Sequence, residues 1–478
     1  MTADGLSRAD PRTLGIDAGA VVAFLDDVES SGLELHSIMV HRHGHVGVEG
    51  WRWPYRADRP RMTHSFTKSV LACAIGLAID EGYFKLTDKV ISFFPDQLPA
   101  VIDDKLRAMT VEDLLTMRTG QAEETSGSIW RAISTSWIAE FFKIPIVHQP
   151  GTSFVYTSAA SYMLAAILSK ATGQTTHAFL KPRLLEPLGI TGESWDIGPD
   201  GINPGGNGFT CTTPGMLKFG ILHAQGGMWE GRRLLPETWV AAATRRHGSG
   251  EYGYHWVVYE DGVYGALGIF VQMVLVFPQA GAALCFTGAI DGSKRLLPFV
   301  RKHFNGAFAR PRDDAAARAS DAVLKARLAA FAAQAPVGAT SSPLARQISA
   351  RSYRMEVNAY GVRVVGFQFA EERCTFRLID AEGEYNVVAG LGGWIESRTD
   401  ITGRDLHHGY RLRGAVVVAS AQWRDEQTLE MTWIFAETAF RDTVVCRFQD
   451  GTLTLDRSVN INSGLRSLPT LHGTLLPA

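Results

Sequence analysis

Ser65-Phe66-Thr67-Lys68 is the one Ser-x-x-Lys in the chain, and it sets an alcohol and an amine three residues apart. On a helix such residues share a face, so the amine can reach the hydroxyl. From Ser65 to Ile79 the sequence runs SFTKSVLACAIGLAI, with Lys68 its only charged side chain. A helix apolar on every side belongs in an interior, and burial lowers the pKa of a lysine. Lys68 also stands one turn inside the helix start, where the helix dipole disfavours a cation. A neutral amine beside a serine is a base beside a nucleophile, the arrangement that covalent acyl transfer needs. The oxyanion so formed needs donors. The Ser65 backbone N–H at a helix N-terminus is a natural first donor, and a strand edge beside the serine would supply the second.

Two further segments carry weaker signals. Tyr156-Thr157-Ser158 follows the Pro150-Gly151 turn and opens a second helix. A tyrosine near a lysine serves as a phenolate or as a proton relay; alone, the segment reads more readily as an aromatic staple with Ser158 as a cap. Tyr264-Gly265-Ala266-Leu267-Gly268-Ile269 precedes an apolar strand. Its glycines would let a backbone come close to a ligand, or make an ordinary hairpin turn.

The elements that must hold these residues follow from the hydrophobic pattern. At 478 residues the chain exceeds what one core supports, so two domains are expected. Residues 15–30 read as an amphipathic helix, Leu35–His41 and His45–Trp53 as strands about a turn at Gly44, and residues 85–145 as mostly helical. Helices are also expected over Val155–Ala171, Met216–His223, Pro236–Thr244 and Lys294–Phe304, and strands over Tyr254–Tyr259, Ile269–Val276 and Ala282–Thr287. Early and late strands imply a sheet built from both ends of a domain at 1–310, with a helical region inserted. An alanine-rich helix and a Pro/Gly/Ser linker occupy 311–343. From 344 to 478 the chain reads as strand after strand, including Tyr410–Val418 and Ala421–Trp423, which predicts an antiparallel barrel or sandwich.

Composition narrows the function. Hydrophobic residues make up 46% and charged ones 20%, with a net charge of −2, so neither a nucleic acid nor an anionic membrane is expected as partner. No stretch has the length of a transmembrane helix. Met1–Gly5 lacks the basic and apolar regions of a secretory signal. Cys73, Cys211, Cys285, Cys374 and Cys446 are scattered without CxxC spacing, which reads as reduced thiols and a cytoplasmic location. His41-Arg42-His43-Gly44-His45 straddles a turn and is expected to be solvated rather than to bind zinc. His64 is expected to point away from Ser65, His407-His408 to lie in a loop, Cys73 to be packing, and Trp394, Trp423 and Trp433 to fill a barrel core or line a cavity. No metal or cofactor is expected.

The order of the pieces resembles the penicillin-binding-protein and class C β-lactamase family, with its esterases, amidases and 6-aminohexanoate-oligomer hydrolases. Further support lies in Asp113-Leu114-Leu115-Thr116-Met117-Arg118-Thr119-Gly120, Pro150-Gly151-Thr152-Ser153-Phe154-Val155-Tyr156 and Thr212-Thr213-Pro214-Gly215-Met216-Leu217-Lys218-Phe219-Gly220, across roughly residues 15–305. The resemblance implies an α+β fold of the β-lactamase/transpeptidase type: an antiparallel sheet flanked by helices, plus a helical subdomain. It implies Ser65 as the acylated nucleophile, Lys68 as base or proton shuttle, and Tyr156 as a proton-transfer residue. Ser158 would bond Lys68 or substrate, and the Ile269 N–H beside Gly268 would be the second oxyanion donor. Where the family usually carries Lys-Thr-Gly or His-x-Gly, this chain has Ala266-Leu267-Gly268. A carboxylate buried there unpaired is costly, so an ester or amide without a recognised carboxylate is expected, in a small molecule or short peptide-like substrate. β-Lactamase or DD-peptidase action, acyl transfer, and a non-catalytic binding module are the alternatives. The C-terminal unit would cap the cleft or pair two copies as a homodimer.

Overall fold

The computed structural model describes residues 4–125, 127–248, 250–331 and 338–477. The chain divides into two compact units, Met1–Trp51 with Arg56–Phe331, and Arg52–Tyr55 with Ala332–Ala478. Of the expected linker, residues 332–337 lie outside the described residues.

The first unit is built on a seven-stranded sheet: β1 (Ser7–Arg8), β2 (Glu34–Arg42), β3 (His45–Trp51), β4 (Val257–Val258), β5 (Tyr264–Gly268), β6 (Gln272–Phe277) and β7 (Ala282–Ala289). Its order is β1-β3-β2-β7-β6-β5-β4, antiparallel except where β1 meets β3. Early strands therefore pair with late ones, as the pattern implied. Helices α1 (Ala18–Ser30), α2 (Phe66–Asp80), α3 (Ser158–Thr172), α4 (Thr213–Ala224), α5 (Ser293–Phe304) and α6 (Ala315–Ala329) flank it. Phe24 of α1 meets Phe286 of β7 and Phe304 of α5 at 5.5 and 5.2 Å between ring centres. A second apolar cluster gathers α2, α3 and α4 with Ala266, Val274 and Cys285. Every residue of β6 is buried, because apolar clusters cover both faces of the sheet. The alanine-rich α6 belongs to this unit: Leu324 is buried in its core, and Arg327 pairs with Asp26 and Glu29 of α1.

Several element boundaries differ from expectation. Residues 85–145 hold only short helices, such as Asp104–Ala108, Val111–Leu115 and Trp137–Phe141. Met117 and Gly120, both at positive φ, break the run. Only Val257–Val258 of the expected strand 254–259 pairs, since His255 at φ 59° turns the chain. The expected strand at 269–276 begins at Gln272 instead. Ile269, Phe270 and Val271 form a turn, with Phe270 at φ 63° and Val271 at φ 64°. Left-handed backbone is costly for a β-branched residue, so nothing in the sequence advertises this turn. Buried Gln272 stitches it down, its Nε2 donating to the carbonyls of Phe270 at 3.3 Å and Gly288 at 3.0 Å.

The second unit is a closed nine-stranded β-barrel. Eight antiparallel pairings run in sequence around it, and a short parallel pairing of Gly390-Leu391 with Ser420-Ala421 closes it. The two strands expected at 410–418 and 421–423 are one, Ala415–Trp423. Ser420 breaks the apolar pattern but is accommodated, its Oγ donating to Gly390 O at 3.4 Å. Ile395–Thr399 and Leu471–Leu475 are strands the pattern missed. Trp423 and Trp433 are buried among Phe369, Phe376 and Phe448. His407, expected in a loop, ends the single turn of helix Arg404–His407; it is fully buried, stacks on Phe440 and bonds Asp442 at 2.7 Å. Arg457 Nε donates to the other oxygen of Asp442 at 2.8 Å.

Among the described residues no helix is long and apolar enough to cross a membrane. All five cysteines are buried and unpaired.

Candidate active site

The first turn of α2 lies at the heart of the first unit. Phe66 to Ala78 are all buried, Lys68 with 1% exposure, while Ser65 at the helix start is half-buried. An interior helix whose one long polar side chain runs back over its own first turn puts the amine against the serine. Lys68 Nζ lies 3.1 Å from Ser65 Oγ and 3.1 Å from Ser158 Oγ, and donates to Gly206 O at 3.0 Å. Desolvation pulls the Lys68 pKa from 10.5 to about 7, against a smaller opposing pull from Glu124.

Tyr156 and Ser158 reach Lys68 from the start of α3. Thr157 caps α3, its side chain accepting from Ala159 N, which turns the tyrosine and Ser158 toward Lys68. The Tyr156 hydroxyl bonds Ser65, and Lys68 Nζ stands 4.8 Å from the centre of its ring. Burial raises the phenol well above its ordinary range, the Ser65 bond offsetting part of that. A phenol shifted in this direction holds its proton more tightly than a free tyrosine.

Gly268 and Ile269 run beside the segment leading into Ser65. A Cβ at Gly268 would sit 2.2 Å from the carbonyl oxygen of Thr63. Only a glycine allows that approach. Beyond the turn, the Phe270 ring meets the edge of His64, 5.4 Å between centres. His64 packs there, buried and at φ 51°. Ala266 is fully buried in β5 opposite Val274, so that position of the strand carries no cation.

Three contributors were not singled out from sequence. The Gly205-Gly206-Asn207-Gly208 run supplies the Gly206 carbonyl; a Cβ at Gly205 would lie 2.0 Å from Ser161 O. A glycine cluster between two helices was the available signal. His255 ties three segments together: its N–H donates to Leu115 O at 3.3 Å, its carbonyl accepts from Ser69 Oγ at 2.6 Å, and its Nε2 meets Ser161 Oγ at 3.0 Å. Desolvation and the nearby Lys68 lower its pKa to about 3, so it stays neutral. Glu124 is exposed and follows no motif.

Of the histidines near Gly44, His41 is buried rather than solvated, and burial lowers its pKa to about 4. Cys73 is packing within α2, its Sγ meeting Ser69 O.

A family model described as Beta-lactamase matches residues 27–293. Esterase EstB of Burkholderia gladioli is 26% identical over 219 residues, covering 40% of this chain and 55% of that protein. The 6-aminohexanoate-dimer hydrolase of Paenarthrobacter ureafaciens is 23% identical over 253 residues, covering 49% of this chain and 64% of that one. The crystal structure of a putative beta-lactamase from Bacteroides dorei superimposes with a TM-score of 0.53 at 18% identity, over 61% of this chain and 99% of that one. That likeness concerns the fold. The chain spans about half the length of the curated relatives it matches first.

Proposed function

The chain belongs to the beta-lactamase family, and on that premise we propose that it is a serine hydrolase that cleaves an ester or amide through an acyl-enzyme at Ser65. The observation that carries this reading is the buried contact of 3.1 Å between Lys68 Nζ and Ser65 Oγ, with the amine's pKa brought down to about 7 so that a large fraction is neutral at pH 7. Neutral Lys68 takes the Ser65 proton as Oγ bonds the carbonyl carbon. The N–H groups of Ser65 and Ile269 receive the oxyanion. Tyr156 passes the proton to the leaving group as the scissile bond breaks, and Ser158 holds Lys68 in line. Water then attacks the acyl-enzyme, its proton returning through the same groups, and frees the acid. An esterase and an amide hydrolase among the relatives support both bond types.

Ala266 shapes the substrate. With no cation at that strand, a carboxylate entering the cleft would lose water without gaining a partner. Neutral acyl groups fit better than β-lactams. The test is turnover of a panel of p-nitrophenyl esters, anilides and nitrocefin by wild type and Ser65→Ala. Ester or anilide turnover that outpaces nitrocefin and vanishes in Ser65→Ala is expected. Equal nitrocefin turnover contradicts the role given to Ala266. No turnover of any acyl compound favours a binding module.

A further inference from the structure

The barrel of the second unit keeps a cavity that its own side chains do not fill. Trp423 and Trp433 pack among Phe369, Phe376 and Phe448, yet about 590 Å³ remains, counting the part open to solvent. Leu378 and Asp380, two residues apart, share one face of the wall, as do Leu455 and Arg457. All four line the cavity and are buried, whereas their neighbours Arg377 and Asp456 pair with Glu384 and Arg447 on the outside. The cavity therefore belongs to the barrel's interior face. Leu471 continues its apolar wall, and Val362 and Ile401 extend it from connecting loops. Tyr360 and Leu468 at the rim are part exposed, so the cavity has a way in.

Among the described residues two charged side chains line this space, and both are engaged. Asp380 Oδ1 accepts from the N–H groups of Glu382 at 2.7 Å and Gly383 at 3.0 Å. Arg457 donates from Nε to Asp442 at 2.8 Å and from Nη1 to Thr402 O at 3.0 Å, and its guanidinium stands 5.4 Å from the centre of the Trp433 ring. An ion entering here would shed water and find each counter-charge taken, which is costly. Apolar walls hold water weakly and favour an apolar guest. We propose that the barrel binds a small, uncharged, mainly apolar molecule of one or two rings in this cavity. Its occupancy does not depend on Ser65 chemistry.

Three naphthalenes of similar shape serve as probes: 2-acetylnaphthalene, uncharged; 2-naphthoate, an anion; and 2-naphthylmethylammonium, a cation. Isothermal titration of the full chain carrying Ser65→Ala should show one saturable site for the ketone, with a Kd of about 10–100 µM. Both ions should bind more weakly by about tenfold or more. Hydrogen exchange followed peptide by peptide should slow around 378–385 and 455–471 when the ketone is bound. Val362→Trp and Leu468→Trp each place an indole at the cavity's edge and should weaken the ketone by about tenfold or more, with the unfolding midpoint little changed. No saturable ketone site, ions that bind as tightly as the ketone, or exchange protection confined to peptides outside the barrel overturns the proposal. So does unchanged affinity in both folded tryptophan variants. If those variants misfold, the exchange pattern of the Ser65→Ala protein decides alone.

Discussion

The pH dependence of acylation follows from one buried amine. Moving the Lys68 pKa from 10.5 to about 7 removes about 5 kcal/mol of preference for the ammonium, at about 1.4 kcal/mol per unit. As base, Lys68 must be neutral. For an uncharged ester, kcat/KM should rise with unit slope below about pH 7 and then level off, with activity at about pH 5 roughly one hundredth of the plateau. Stability follows the same group. Its folded pKa lies below its unfolded one, so the stabilisation present above about pH 10.5 is lost as pH falls and is gone below about pH 7. Lys68→Met removes this penalty, though it leaves Gly206 O without that donor. The variant should acylate far more slowly, and its unfolding midpoint in denaturant should vary less with pH between about 7 and 10 than that of wild type. Stopped-flow hydrolysis of a p-nitrophenyl ester and denaturant titrations across that range provide the assay. A flat rate profile from about pH 5 to 9, or an inflexion near about pH 10, refutes the claim that Lys68 is the neutral base.

Other outcomes follow from the same geometry. Tyr156→Phe should slow acylation by about two to four orders of magnitude with little change in fold, read by single-turnover kinetics and circular dichroism. Gly268→Ala places a methyl 2.2 Å from Thr63 O and should push the 268–269 backbone off the serine, lowering kcat far more than thermal stability. His255→Gly suits the φ of 59° but cuts the tie to Ser161, so kcat should fall while KM stays near its wild-type value. In the barrel, His407→Ala leaves Asp442 without its imidazole partner and should cost about 2–4 kcal/mol in a denaturant titration, with Ser65 chemistry intact in protein that remains folded.

Local chemistry made much of this legible. A lone lysine in an apolar helix could be placed from sequence because burial and helical spacing are both local properties. Tyr156-Thr157-Ser158 gained meaning through its order relative to Ser65 rather than through its own residues. Gly206 and His255 escaped notice because each acts by a backbone group or by a long-range contact, and neither leaves a periodic trace. The turn at 269–271 was read as strand because Ile269, Phe270 and Val271 are good strand formers; Gln272 and the packing against His64 impose the left-handed backbone. In the second unit, alternation identified the strands, but closure depends on two residue pairs at 390–391 and 420–421, which no local pattern specifies.

The most direct test is peptide-level mass spectrometry of the intact chain after brief exposure to a fluorophosphonate or an acid-quenched p-nitrophenyl ester. A single adduct on the peptide bearing Ser65, absent from Ser65→Ala and slow to form in Lys68→Met, is the predicted result. An adduct on another residue, or labelling of Ser65 at the same rate without Lys68, would contradict the account.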